Sequence, residues 1–91
     1  MLRLVWDKKA INDLRRIVDY VGERNPIAAE RLQSVIERSA EQLPSHPYLY
    51  RPGRTPGTRE AVVHPNYMII YRVGDAAIVV LAVVHSRQRY P

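Results

Sequence analysis

Five residues in the last third of this 91-residue chain have types that could do chemistry together: Arg59, Glu60, His85, Arg87 and Tyr90. Cleavage of RNA by attack of a 2′-hydroxyl needs a base for its proton, cations for the phosphorane and an acid for the leaving oxygen. Glu60 or His85, the arginines, and Tyr90 or His85 could fill those roles. That set requires the strand opened by Arg59 and Glu60 to lie close to the strand that His85 and Arg87 leave, so that all converge on one edge of a sheet. The same residue types also serve as solvated strand ends that discourage edge pairing, and both readings stand at this point.

Other chemistries fail on spacing. His46, His64 and His85 are far apart, none has a histidine four positions away, and the chain has no cysteine, so no metal site is expected. Gly53 and Gly57 form no phosphate-binding loop, and Ser34, Ser39, Ser45 and Ser86 lack the surroundings of an acyl-transfer nucleophile. No cofactor is expected.

The elements that would position the rim follow from the patterning. Leu2, Leu4 and Trp6 alternate as a short strand. Asp7 is a helix N-cap, and Ile11, Leu14, Ile17, Val18 and Val21 repeat at helical spacing, predicting a helix from Lys8 to Gly22 or Arg24. Asn25-Pro26 restarts a helix whose apolar stripe runs from Ala28 to Leu43, where Pro44 stops it. The short connection makes the pair an antiparallel hairpin. Pro44 to Pro56 holds four prolines and reads as an ordered loop, with Tyr48 and Leu49 expected to tuck under the helix end. Arg59 to His64, Tyr67 to Val73 and Ile78 to His85 read as strands, joined by Pro65-Asn66 and Gly74-Asp75 turns. The last is apolar throughout from Ala76 to Val84, the mark of a strand buried on both faces. The order β-α-α-β-β-β predicts an α+β fold, a helical hairpin packed on a mostly antiparallel four-stranded sheet, in one domain spanning 1–91.

Charge is unevenly placed. Net charge is +5; residues 1–50 hold eight basic against seven acidic residues, whereas residues 51–91 hold six arginines against Glu60 and Asp75. Twelve of the fourteen basic residues are Arg, which favours fork-like pairing with carboxylate or phosphate and suits an acidic partner, with direct nucleic-acid contact left open. No signal peptide or membrane span is expected, and the absence of cysteine fits a cytoplasmic protein.

The stretches HPYLY, RTPGTREAVVHPNYMIIYRV and VVHSRQRYP together resemble the ParE branch of the RelE/ParE toxins of bacterial type II toxin–antitoxin modules. The resemblance implies a toxin neutralised by a cognate, ParD-like antitoxin and associated with poisoning DNA gyrase. Under it Arg59, His85, Arg87, Arg89 and Tyr90 are target-contact residues. RelE-type relatives instead cut mRNA on the ribosome, with Glu60, His85 and Arg87 the candidate acid–base set here. RelE-like nucleases carry an arginine after the Gly-Tyr or Asn-Tyr pair of the second hairpin strand, and that place, after Tyr67, is Met68 in this chain. Arg87 matches a second RelE arginine, but Tyr90 lies too close to Arg87 to match the C-terminal tyrosine. Those departures favour the gyrase association over RNA cleavage.

Overall fold

The computed structural model describes residues 2–88 and Tyr90. The chain order is β1 (Arg3–Trp6), α1 (Lys8–Gly22), α2 (Pro26–Gln42), a 3-10 turn (Leu43–Ser45), β2 (Arg51–Pro52), β3 (Thr58–His64), β4 (Tyr67–Val73) and β5 (Ala77–His85). The caps fall where expected. The Asp7 side chain accepts the Lys8 amide at 3.0 Å, and Asn25 Oδ1 accepts the Ala28 amide at 3.0 Å with Pro26 opening α2. Pro44, which has no amide hydrogen to give, converts the end of α2 into the 3-10 turn.

The strands form one sheet in the order β1-β5-β4-β3-β2, antiparallel except for the parallel β1–β5 pair. It therefore has five strands rather than four. The extra one, Arg51 and Pro52 paired with Glu60 and Arg59, falls in the proline-rich stretch that carries no alternating pattern. A proline at an exposed sheet edge loses no ladder bond, so the sheet tolerates one there.

The helical hairpin covers one face of the sheet. Ala10, Leu14, Leu32, Ile36, Ala40 and Leu43 pack against Ala61, Ile69, Tyr71, Ile78, Val80 and Val83. A register shift pairs Ile70 with Ala82 but Tyr71 with Val80, leaving Leu81 without a partner. This bulge reverses the side-chain parity of β5, so Ile78, Val80 and Val83 all face the helices. The expectation that β5 is buried on both faces holds only in part. Val79, Leu81 and Ala82 are half-buried, and the second face carries only a small cluster of Met68, Ile70 and Val84 with Ala82 and Tyr90. Much of the unbroken apolar run is thus the signature of a bulge rather than of two covered faces.

One polar contact ties the layers together. β1 pairs with β5 only as far as Trp6 and Val80, and the Asp7 amide donates to the Val80 carbonyl at 2.9 Å as the chain turns into α1. Beyond that point the Val83 amide, deprived of a strand neighbour, donates to Asp13 Oδ2 at 3.1 Å. Asp13 is buried, and Lys9 and Arg16 donate to its two oxygens at 3.0 and 2.8 Å. No helix among the described residues is long and apolar enough to cross a membrane.

Candidate functional site

Arg59 and Glu60 are neighbours on β3 and therefore project to opposite faces. Arg59 is paired across the ladder with Tyr71, on the helix side, and Glu60 with Ile70, on the open side. Glu60 is buried, and Arg51 Nε donates to its Oε1 at 2.7 Å from the adjoining β2. Arg59 is turned toward the 46–50 loop. Its Nη1 donates to the Tyr50 carbonyl at 2.7 Å and its guanidinium lies 4.8 Å above the Tyr48 ring. Tyr71, fully buried, reaches the same loop. Its hydroxyl donates to the Pro47 carbonyl at 2.8 Å, and its ring meets Tyr50 edge-on. Burial pushes the Tyr71 phenol above the usual tyrosine range, against a smaller opposite pull from the Arg59 charge.

His85 lies at the other end of the sheet. It is the ladder partner of Tyr67, which in turn pairs with His64, so one tyrosine ring stands between two imidazoles at 5.4 and 5.7 Å. Each histidine uses Nδ1 to accept an amide of the turn that follows it. The Asn66 amide donates to His64 at 3.1 Å, and the Arg87 amide donates to His85 at 3.2 Å. Those bonds leave Nε2 as the protonated nitrogen of each neutral ring. The two turns are stitched together by the Ser86 amide and hydroxyl, which donate to Asn66 and Pro65 carbonyls at 2.8 and 3.0 Å. Arg87 is exposed on this turn. Tyr90 then lies on the open face beside Met68, Ile70, Ala82 and Val84, with the Arg54 guanidinium 4.9 Å from its ring. Its hydroxyl is buried with no hydrogen-bond partner among the described residues. Arg89, a candidate contact residue in the sequence, lies outside the described residues.

The expected convergence on one rim does not form. β4 separates β3 from β5, Glu60 and His85 project from opposite faces, and their partners on β4, Ile70 and Tyr67, are three positions apart. Arg59 shares a face with His85 but lies at the far end, beside Tyr71 rather than Tyr67. Two of the surface depressions bear on these residues and on the helices. A cleft of about 560 Å³ on the open face is lined by Lys9, Thr58, Ile70, Ala82, Val84 and Tyr90 among others. A groove of about 420 Å³ along the helices is lined by Trp6, Ile11, Leu14, Arg15, Val18 and Glu37 among others. Among the described residues no group of three or more His, Cys, Asp or Glu could hold a metal ion.

Sequence reasoning missed Arg51, Asp13, His64 and Tyr67 as neighbours of these groups. The Arg51–Glu60 pair spans nine residues and exists only because β2 pairs with β3. The Asp13–Val83 bond spans seventy, and no local pattern announces it. The His64–Tyr67–His85 row was legible in principle, since the Pro65-Asn66 turn places His64 opposite Tyr67.

This fold is shared with known proteins. A family profile described as ParE toxin of the type II toxin–antitoxin system, parDE, matches residues 4–90. The chain therefore belongs to the ParE toxin family of type II toxin–antitoxin systems. Toxin RelE2 of Caulobacter vibrioides is 35% identical over 86 residues, covering 94% of this chain and 97% of that protein. The putative toxin Y4kP of Sinorhizobium fredii is 33% identical, covering 98% and 93% respectively. Among solved structures, a chromosomal ParDE toxin–antitoxin system from P. aeruginosa superposes with a TM-score of 0.85 at 25% identity, covering 93% of this chain and 96% of that one. The RelBE2 complex of Mycobacterium tuberculosis shares the fold, with a TM-score of 0.67 at 23% identity over 92% and 96% of the two chains.

Proposed function

We propose that this toxin acts by binding its cellular target, DNA gyrase, without catalysis of its own, and that a cognate ParD-like antitoxin neutralises it. The observation that carries the reading is the separation of Glu60 from His85. The carboxylate sits on the open face under Arg51, and the imidazole sits on the helix face with Nδ1 committed to its own turn. General acid–base catalysis needs both groups within hydrogen-bond reach of one reacting centre. Met68, where a RelE-like nuclease carries arginine, is buried in the small apolar cluster of the open face, so that cluster offers no cation at this position. The antitoxin half of the proposal is supported by the family and by the ParDE, RelBE2 and E. coli DinJ–YafQ complexes among the structural neighbours. Net positive charge concentrated after residue 50 suits an acidic partner.

The test is supercoiling of relaxed plasmid by purified gyrase and ATP, with the toxin titrated in. Inhibition with accumulating cleaved DNA, relieved by the antitoxin, is the expected result. No effect at high excess of a folded, growth-arresting chain rejects the gyrase reading. Ribosome-dependent mRNA cleavage then becomes the activity to assay, with Glu60, His85 and Arg87 as its candidate residues.

A further inference from the structure

The 46–50 loop does not do what its composition predicts. Tyr48 and Leu49, expected to tuck beneath α2, are 66% and 69% exposed. The loop that carries them is nevertheless fixed. Its Pro47 carbonyl accepts the hydroxyl of the fully buried Tyr71, and its Tyr50 carbonyl accepts Arg59. The Leu49 amide closes a turn onto the His46 carbonyl at 3.2 Å, and Tyr50 packs edge-on against Tyr71. These anchors hold the backbone while Tyr48 and Leu49 point into solvent, with the Arg59 guanidinium 4.8 Å from the Tyr48 ring. The stack on Arg59 uses one face of Tyr48 and Leu49 stays largely exposed, whereas a docking contact gains from both side chains, because the ordering cost of the loop is already met. Tyrosine and arginine are also the residue types that dominate binding hot spots.

Charge identifies the kind of partner. No acidic residue occurs between Glu41 and Glu60, and that span carries Arg51, Arg54 and Arg59. Of the two acids that border it, Glu60 is buried in its pair with Arg51, and Glu41 lies at the end of α2. The tip is therefore an aromatic–aliphatic pair in a segment whose charged side chains are all arginines. It is also separate from the helical groove, whose lining of Trp6, Ile11, Leu14 and Val18 includes no residue of the loop.

We propose that Tyr48 and Leu49 form the anchor by which this toxin engages its protein target, and that the surface they fit is an apolar pocket rimmed by carboxylates. The proposal rests on the reading that the chain acts by binding a protein, and it requires the antitoxin to bind elsewhere than on this loop. Tyr71 and Arg59 are positioning residues for the tip.

The experiment compares wild type with the Tyr48→Ala/Leu49→Ala double variant in the full-length chain. It measures growth arrest at matched expression, gyrase inhibition in vitro and antitoxin co-purification. Both side chains are exposed, so the variant is expected to keep its thermal midpoint. The expected result is loss of growth arrest and at least about 100-fold weaker gyrase inhibition, the effect of removing a hot-spot pair, with antitoxin binding unchanged. Undiminished growth arrest in a well-expressed variant overturns the proposal, and so does parallel loss of antitoxin binding. A wild-type chain that arrests growth but leaves gyrase untouched rejects gyrase alone, and growth arrest by the double variant still decides the role of the loop. Leu49→Asp, which sets a carboxylate against the carboxylates of the partner, is expected to be as inactive as the double variant. Full activity of Leu49→Asp refutes the acidic rim.

Discussion

Removing the Asp13 carboxylate should cost more than any other single polar change on the helices, and the reason is the backbone group it serves. In Asp13→Ala the Val83 amide, which lies beyond the end of β1, loses its partner within the helix–sheet layer. An orphaned buried amide costs about 1–3 kcal/mol. The two ion pairs add little, because the Lys9 and Arg16 side chains are 65% and 74% exposed and such pairs contribute about 0–1 kcal/mol each. Relief of the desolvation of Asp13 itself offsets part of the loss, so the net is about 2 kcal/mol. For a domain of this size that lowers the melting temperature by roughly 8–16 °C. Urea and thermal denaturation of Asp13→Ala, Asp13→Asn, Lys9→Ala and Arg16→Ala separate the terms. Asparagine keeps an oxygen for the Val83 amide and should recover more than half of the loss, whereas Lys9→Ala and Arg16→Ala should each change stability by less than about 0.5 kcal/mol. If asparagine is as damaging as alanine, or if Arg16→Ala matches Asp13→Ala, the amide is not what the carboxylate supports and the reasoning fails.

Three further outcomes are expected. The folded-state pKa of Tyr71 is raised, so the protein binds this proton more tightly than the unfolded chain does. Its contribution is present below the ordinary tyrosine pKa of about 10 and is lost as pH climbs from there through the folded value. Tyr71→Phe should flatten that alkaline fall in a stability–pH series, and an unchanged slope would count against it. Gly57 has φ +82, so Gly57→Ala should destabilise by about 1–2 kcal/mol in denaturant titration despite open space around it; no change would show that the turn relaxes freely. Glu60→Gln should leave growth arrest intact under the proposed function, and a stable variant that no longer arrests growth would move the case toward RNA cleavage.

The parts of this molecule that were legible in its sequence are those set by local rules. Asp7 and Asn25-Pro26 cap the helices, Pro44 ends the second, and Pro65-Asn66 and Gly74-Asp75 turn the hairpins, all within a few residues of the effects they cause. The parts that were not legible depend on pairing. Arg51-Pro52 becomes a strand only because Glu60 and Arg59 lie beside it, and two residues carry no period to detect. Tyr48 and Leu49 were expected inside because apolar side chains usually are. Their exposure follows from Tyr71 reaching across twenty-four positions to hold the Pro47 carbonyl.

The failed convergence of the rim has the same origin and carries a general point about this fold. Adjacent residues of a strand cannot serve one site, since Arg59 and Glu60 must point to opposite faces whatever their chemistry. A site that uses Glu60 has to recruit its partners from the open face, where the sheet offers Arg51, Arg54, Arg72, Thr58 and Tyr90 around an apolar floor. A site that uses His85 has to recruit from the helix face, where Tyr67 lies against it and His64 lies on the far side of Tyr67. Moving one residue along β3 or β5, or relocating the bulge at Leu81, would exchange those two sets of neighbours. Register therefore decides which arginines and carboxylates can act together on this scaffold. In this chain it leaves Glu60 with a single cationic partner among the described residues and turns Arg59 toward a loop that presents Tyr48 and Leu49 to solvent.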